Sequence, residues 1–180
     1  MEILPVNSEV LYTKQCIRTY TGIYVNVFHP TPDMFEIEDI AHALSNQCRW
    51  GGHTPKFYSV AQHSFHCAEI MKDPKKKMAA LMHDASEAYL VDIPSPIKQG
   101  LANYKEIEDR VMEIIAKKFG FRWPLDEEVK EVDRILLELE WDHLILGKPL
   151  KKGSIDIRPF EISPKAAFKT LYSIYKNRVA

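Results

Sequence analysis

The stretch LMHDASEAYLVDIPSP, residues 81–96, places three ionisable side chains inside an apolar helical pattern. Apolar residues recur at helical spacing through residues 75–90, and this spacing predicts one core helix. His83, Asp84 and Glu87 lie on one side of that predicted helix, because positions three and four apart share a face. A buried charge is costly unless it is paired or bound to a metal. The stretch therefore predicts a polar site in the core of a helical fold.

The composition is that of one globular domain covering residues 1–180. Hydrophobic residues make up 46% and charged residues 27% of the chain, which excludes disordered and fibrous classes. The formal net charge is -1, so no overall basic field would hold a nucleic acid duplex or an anionic membrane. We expect neither as a partner.

The cysteine count and the N-terminal sequence favour a cytoplasmic location. The chain has 3 cysteines without a CxxC spacing, which is typical of a reducing compartment, and we interpret them as small buried hydrophobes: Cys16, Cys48 and Cys67. The start MEILPVNSEV lacks the basic and apolar regions of a signal peptide. No apolar run approaches the ~18 residues that a membrane span requires.

Local patterns predict an all-α domain of five to six helices with a small N-terminal β-hairpin at residues 17–28. The helical core covers about residues 36–146, and a last helix covers about 163–178. Ser59 is a candidate N-cap and Gly120 a candidate helix end. The segment IDIRPF, residues 155–160, predicts a short strand or an extended segment.

Four residues suited to metal binding fall on three separate predicted helices: His63, the neighbours His83 and Asp84, and Asp133. Taken singly, a core histidine is more often hydrogen-bonded than metal-bound. Taken together, imidazole and carboxylate ligands suit Mn, Co, Ni, Fe or Zn better than Ca or Mg. The set predicts one divalent transition metal ion.

The same residues match a family pattern. His63, His83-Asp84 and the distant Asp133 resemble the H…HD…D signature of the HD-domain phosphohydrolase superfamily. The surrounding segments RW, YSVAQHS, HDASE, DIPSPIK and YKEIE resemble its 5′-deoxynucleotidases and small phage-type deoxynucleoside triphosphohydrolases. The resemblance covers about residues 17–145 and implies an HD-type helical domain, a nucleotide substrate and a homo-oligomer, dimeric or higher.

By resemblance, the metal ligands are His63, His83, Asp84 and Asp133. Because the segment between Asp84 and Asp133 contains no histidine, the resemblance implies one metal ion. Glu87 would orient or deprotonate the attacking water.

The resemblance also implies the residues around the substrate. Asp92 would approach the attacking water or the sugar hydroxyl. Arg49 and Trp50 would hold the phosphate and pack on the nucleotide, and Lys98 would add positive charge near the phosphate. Trp50 could instead cover the core, and Asp92 could be a turn residue before Ile93-Pro94.

Three functions agree with these residues. We favour a metal-dependent phosphohydrolase that converts deoxynucleoside 5′-monophosphates to nucleoside and phosphate. A triphosphohydrolase would need further cations for the β- and γ-phosphates, for which Lys56, Arg18 and Lys98 are candidates. A nucleotide-binding module without catalysis would not need the carboxylates of Glu87 and Asp92, so their presence argues for an enzyme.

Overall fold

A computed structural model describes residues 15–157, 160 and 163–179 of the chain. Most of these residues are helical, and a two-stranded antiparallel hairpin precedes the helices. Strand β1 (Cys16–Arg18) pairs with β2 (Tyr24–Asn26), with Ile17 opposite Val25. The predicted helical fold with a hairpin at residues 17–28 is thereby confirmed. The N-terminal stretch used for the signal-peptide prediction lies outside the described residues, as does part of the predicted segment 155–160.

Eight α-helical segments follow the hairpin in the part of the chain that the structure describes, so the predicted number of five to six helices is too low. They are α1 (Ile37–Asn46), α2 (Val60–Ile70), α3 (Lys77–Met82), α4 (Glu87–Leu90), α5 (Ser95–Lys98), α6 (Tyr104–Phe119), α7 (Glu127–Glu140) and α8 (Pro164–Val179). Short 3-10 turns occur at Pro32–Met34 and Arg49–Gly52, and one π-helical turn, Trp141–Ile145, extends α7. Among these helices, none combines the length and the apolar character that crossing a bilayer would demand.

Helix boundaries agree with the local signals where those signals are strong. The Ser59 hydroxyl accepts a hydrogen bond from the Gln62 N–H, so α2 begins with the predicted cap, worth about 1 kcal/mol. Gly120 ends α6 in the left-handed conformation at a φ of 76°, which glycine adopts without steric cost.

The prediction of one helix over residues 75–90 is wrong, because the chain forms two helices there. Between α3 and α4 the backbone hydrogen bonds join residues that are three positions apart. For example, the Glu87 N–H donates to the Asp84 carbonyl oxygen at 2.9 Å. Residues 83–86 form hydrogen-bonded turns of this tighter kind, so the α-helical hydrogen-bond ladder is interrupted. His83 and Asp84 lie in this junction rather than within a helix.

Helix α2 lies at the centre of the fold and contacts α1, α3, α7 and α8. Its buried face joins a continuous apolar cluster that extends from Val25 in the hairpin to Tyr175 in α8. Asp39 on α1 fixes the hairpin, since its two carboxylate oxygens accept hydrogen bonds from the Thr21 N–H and hydroxyl, both at 2.7 Å. The central position of α2 brings His63 next to residues of α3 and α7.

Candidate metal centre and active-site pocket

The nine site residues predicted from the sequence converge on one pocket with a volume of about 370 Å³. Seven of them line it: Arg49, Trp50, Asp84, Glu87, Asp92, Lys98 and Asp133. The remaining two, His63 and His83, lie buried beside Asp84 and Asp133 at its base. The pocket size is within the usual range for small-molecule sites.

Six chain segments bring these residues together. His63 comes from α2 and Asp133 from α7, while His83 and Asp84 come from the junction between α3 and α4. Glu87 is the first residue of α4. Arg49 and Trp50 form the turn before α2, and Asp92 and Lys98 follow α4.

The hydrogen bonds of the two histidines fix which ring nitrogen faces the pocket. His83 Nδ1 lies 2.8 Å from the Ala80 carbonyl oxygen, and His63 Nδ1 lies 2.7 Å from Glu140 Oε1. Both partners only accept hydrogen bonds, so each Nδ1 carries a proton and donates it. In the neutral ring the lone pair is then on Nε2, the arrangement typical of a metal-binding histidine.

The two Nε2 atoms and one carboxylate oxygen meet at a common point. The Nε2 atoms of His63 and His83 are 3.2 Å apart, and Asp133 Oδ1 lies 3.0 Å from the first and 3.6 Å from the second. Asp84 Oδ2 is 3.2 Å from His83 Nε2. In a tetrahedral site, a metal with bonds of about 2.0–2.2 Å separates its ligand atoms by roughly 3.3–3.6 Å. His63, His83 and Asp133 therefore lie near enough to one another that they could hold a metal ion, and Asp84 Oδ2 lies beside them, 3.8 Å from His63 Nε2.

Without a cation these acceptors would repel one another. Burial disfavours the charged form of His63 and His83, but the neighbouring negative charges prevail and raise the pKa of both imidazoles well above the usual value. Asp84 is buried as well, yet the charge of His83 holds its pKa at about 2. The site thus favours bound positive charge, either protons or a metal ion.

A cysteine completes this buried cluster. Donor atoms of His63, Cys67, His83 and Asp133 all lie within 4.8 Å of one another, and together they could hold a metal ion. Cys67 Sγ is 3.6 Å from His63 Nε2, one helical turn along α2. The sequence prediction of Cys67 as only a small buried hydrophobe left out this contact.

Glu87 is positioned as a poorly solvated carboxylate at the edge of the cluster. Burial, followed by the charges of Asp84 and Asp92, raises its pKa well above the usual value. Its Oε1 accepts a long hydrogen bond of 3.5 Å from Lys98 Nζ, and its Oε2 has no hydrogen-bond partner among the described residues. An unpartnered buried carboxylate oxygen is suited to receive a water or a ligand.

Lys98 is less available than its sequence position suggested. Its ammonium group donates a 2.9 Å hydrogen bond to Glu108 Oε1 on α6. Burial opposes its charge, but this bond and the charge of Glu87 raise the pKa of Lys98 above its usual value. Lys98 therefore lines the pocket as a cation that already has two carboxylate partners.

Gln47, which the sequence analysis did not single out, connects Glu87 to Asp92. Its Nε2 donates to the Glu87 carbonyl at 2.8 Å, and its Oε1 accepts from the Asp92 N–H at 3.0 Å. Between them Val91 has a φ of 69° and a ψ of 149°, a conformation that costs a β-branched residue about 1–3 kcal/mol. The amide of Gln47 supports this strained turn.

Arg49 is surrounded by carboxylates. Its guanidinium lies 3.3 Å from Glu140 Oε2, 3.7 Å from Asp84 Oδ2 and 4.0 Å from Asp92 Oδ2. Burial opposes its charge, but the carboxylates raise its pKa, so the guanidinium stays protonated. Arg49 both lines the pocket and holds these acidic side chains in place.

Glu140 is another residue that the sequence analysis missed. Its side chain is fully buried, and it bonds His63 Nδ1 through one oxygen and Arg49 through the other. Although burial disfavours its charge, His63 and Arg49 lower its pKa. The position of Glu140 in the sequence could have indicated that it is buried, because it continues the apolar stripe of α7 one turn after Leu136.

Trp50 forms part of the pocket wall with a left-handed backbone, at a φ of 59°. Its ring lies 5.4 Å from that of Trp141 at an angle of 43°, and 45% of Trp141 is exposed. The two indoles form an aromatic surface beside the metal centre.

Comparison with known proteins places the chain in a family. No family model matches the sequence. It is 40% identical over 154 residues to "Uncharacterized protein YfdR" of Escherichia coli, covering 83% of this chain and 86% of that protein. It is 32% identical over 169 residues to "Uncharacterized protein RCAP_rcc00048" of Rhodobacter capsulatus, covering 79% and 86%. At this identity and coverage, the chain belongs to the same protein family as YfdR.

Proposed function

We propose that the protein is a metal-dependent phosphohydrolase of the HD-domain type that acts on deoxynucleoside 5′-monophosphates. The observation that carries the proposal is the meeting of two imidazole lone pairs with Asp133 and Asp84 beside the unpartnered carboxylate oxygen of Glu87. Such a set can bind a metal and activate water at the same point. The H…HD…D pattern of the sequence supports the superfamily.

A bound divalent metal would lower the pKa of a water molecule and polarise a phosphoryl oxygen. Burial and the charges of Asp84 and Asp92 raise the pKa of Glu87 above its usual value, and a more basic carboxylate is a better proton acceptor for a general base. Glu87 would take one proton as the water oxygen attacks phosphorus. The bond from phosphorus to the 5′-oxygen would then break, that oxygen would take up a proton from solvent as the nucleoside leaves, and Glu87 would return its proton to solvent.

The cations of the pocket support a small phosphate group. Among the described residues that line it, the positive side chains are Arg49 and Lys98, and both already face carboxylates. A guanidinium and an ammonium group suit the oxygens of one phosphate. A triphosphate would require further cations, so the lining favours a monophosphate.

The aromatic surface supports a nucleoside as the rest of the substrate. Trp50 lines the pocket, and Trp141 extends the surface outward from it. Stacking of a base on an aromatic ring contributes about 1–3 kcal/mol in nucleic-acid complexes. Asp92 lies at the same pocket and would accept a hydrogen bond from the sugar hydroxyl or the attacking water.

The test is to offer the protein, loaded with Mn, Co or Zn, a panel of dNMPs and dNTPs and to identify the products. We expect inorganic phosphate from dNMPs. Release of triphosphate from dNTPs would show that the substrate is a triphosphate rather than a monophosphate. Binding of nucleotides without turnover would indicate a nucleotide-binding module. The absence of both binding and turnover would reject the proposal.

Two variants separate the metal role from the water role. Asp84→Ala should lose both metal and turnover, whereas Glu87→Ala should retain metal and lose turnover. Glu106→Ala, at an exposed position of α6, is the matched control and should behave as the unmodified protein. Near-normal rates in Glu87→Ala would show that another group deprotonates the water.

A further inference from the structure

Cys67 lies at the buried side of the metal centre. It is 1% exposed and does not line the pocket, whereas Asp84 and Asp133 both do. Its thiol group follows His63 by four positions on α2, so the two side chains share one face of that helix. The sulfur of Cys67 would therefore approach the ligand cluster from the buried side, opposite the pocket and away from the substrate.

The distance from Cys67 to its neighbour fits coordination. Zinc binds sulfur at about 2.3 Å and nitrogen at about 2.0–2.1 Å, which separates the two donors by roughly 3.6 Å in a tetrahedral site. The observed distance from Cys67 Sγ to His63 Nε2 is 3.6 Å. The remaining donors of the cluster also lie within 4.8 Å of this sulfur.

We propose that the Cys67 thiolate is an additional ligand of the metal held by His63, His83 and Asp133. A thiolate is a soft ligand, and it favours Zn or Co over Mn or Mg. The protein would therefore select a thiophilic metal, in contrast to a centre of imidazoles and carboxylates alone. The inference rests on the metal centre of the proposed function but not on its substrate.

The experiment is a titration of the metal-free protein with Co(II), followed by near-ultraviolet absorption. We expect a thiolate-to-cobalt charge-transfer band in the unmodified protein that is absent from Cys67→Ala and Cys67→Ser. Cys48→Ala is the control, because Cys48 faces Thr54 outside the cluster, and this variant should retain the band.

Competition with a chelator gives a second readout. Zn affinity should fall about tenfold or more in both Cys67 variants, while Mn affinity should change little. Cys67→Ser preserves the side-chain size, so it decides the result if Cys67→Ala does not fold. Bound Co(II) without the band in the unmodified protein would overturn the inference, as would an unchanged band in Cys67→Ser.

These outcomes are distinguishable from failure of the proposed function. If the band depends on Cys67 but no nucleotide is hydrolysed, the ligand assignment stands and the phosphohydrolase assignment fails. If dNMPs are hydrolysed and the band is absent, the phosphohydrolase assignment stands and the ligand assignment fails.

Discussion

At the residue scale, Glu140 shows how one buried carboxylate orients a candidate metal ligand, His63. Its Oε1 accepts a hydrogen bond from the His63 Nδ1–H at 2.7 Å. His63 Nε2 is therefore the ring nitrogen that faces the candidate metal centre. The same carboxylate faces Arg49, so its charge is balanced inside the core. In the proposed reaction Glu140 would therefore be a positioning residue for His63.

We expect Glu140→Gln to weaken metal binding by about 10–100-fold, because partners of this kind have effects of that size. Isothermal titration with Co(II) would measure the change. Glu138→Gln is the control on the same helix, since Glu138 is exposed and paired with Arg134. Equal affinities in the two variants would show that the orientation of His63 does not depend on Glu140.

At the element scale, α1 and α8 are joined by an ion-pair cluster at the surface. Both Lys165 and Lys169 contact the carboxylate of Glu38. Hydrogen bonds from Lys165 and then Lys169 lower the pKa of Glu38 to about 2. The folded state thus binds the proton of Glu38 less tightly than the unfolded state does.

This depressed pKa predicts a pH dependence of stability. The contribution of Glu38 is fully present above its unfolded pKa of 4.5 and is lost as the pH falls toward about 2. We expect Glu38→Gln to melt at a lower temperature than the unmodified protein at pH above 4.5. The difference in melting temperature between the two proteins, followed by circular dichroism, should disappear as the pH approaches about 2. A difference that does not vary with pH would contradict this role.

The element boundaries also show which local signals suffice. Ser59 and Gly120 were correctly assigned as helix ends, because caps act within one turn of backbone. The break between α3 and α4 was missed, because its sequence continues the apolar helical pattern. Packing of the junction against α2 and α7 competes with that local preference.

At the scale of the whole molecule, the candidate metal centre connects residues of α2 and α7 with the junction between α3 and α4. A ligand that binds only the folded state stabilises it by an amount that depends on its concentration. The site is formed by residues 70 positions apart, so the unfolded chain would not reproduce it. Metal binding should therefore stabilise the fold as a whole.

We expect Co(II) at about one hundred times its dissociation constant to add about 2.7 kcal/mol to the free energy of unfolding. For a chain of this size, that corresponds to a rise in Tm of roughly 5–10 °C. Differential scanning calorimetry with and without a chelator would measure the shift. His83→Ala should show no shift, and an equal shift in that variant would mean that the metal binds elsewhere.

The expectations of a single domain and of a homo-oligomer also belong to this scale. The apolar cluster extends from the hairpin to α8. Both expectations stay predictions. Size-exclusion chromatography with light scattering measures the oligomeric state directly.

The sequence by itself determined the helical character, the hairpin and the chemical types at the site. These features depend on local periodicity, capping and residue identity, which can be recognised along the chain. His63, His83, Asp84 and Asp133 were chosen on those grounds, and the structure brings them together.

Only the tertiary structure decided which further residues meet them. Glu140 lies 77 positions from His63, and its contact depends on how α7 crosses α2. Arg49 was expected to face a phosphate, and the fold also places it between Glu140 and Asp84. Cys67 joins the cluster because the face of α2 that carries His63 and Cys67 is turned toward His83 and Asp133. Helix crossing angles arise from the packing of distant side chains, so no local pattern contains them.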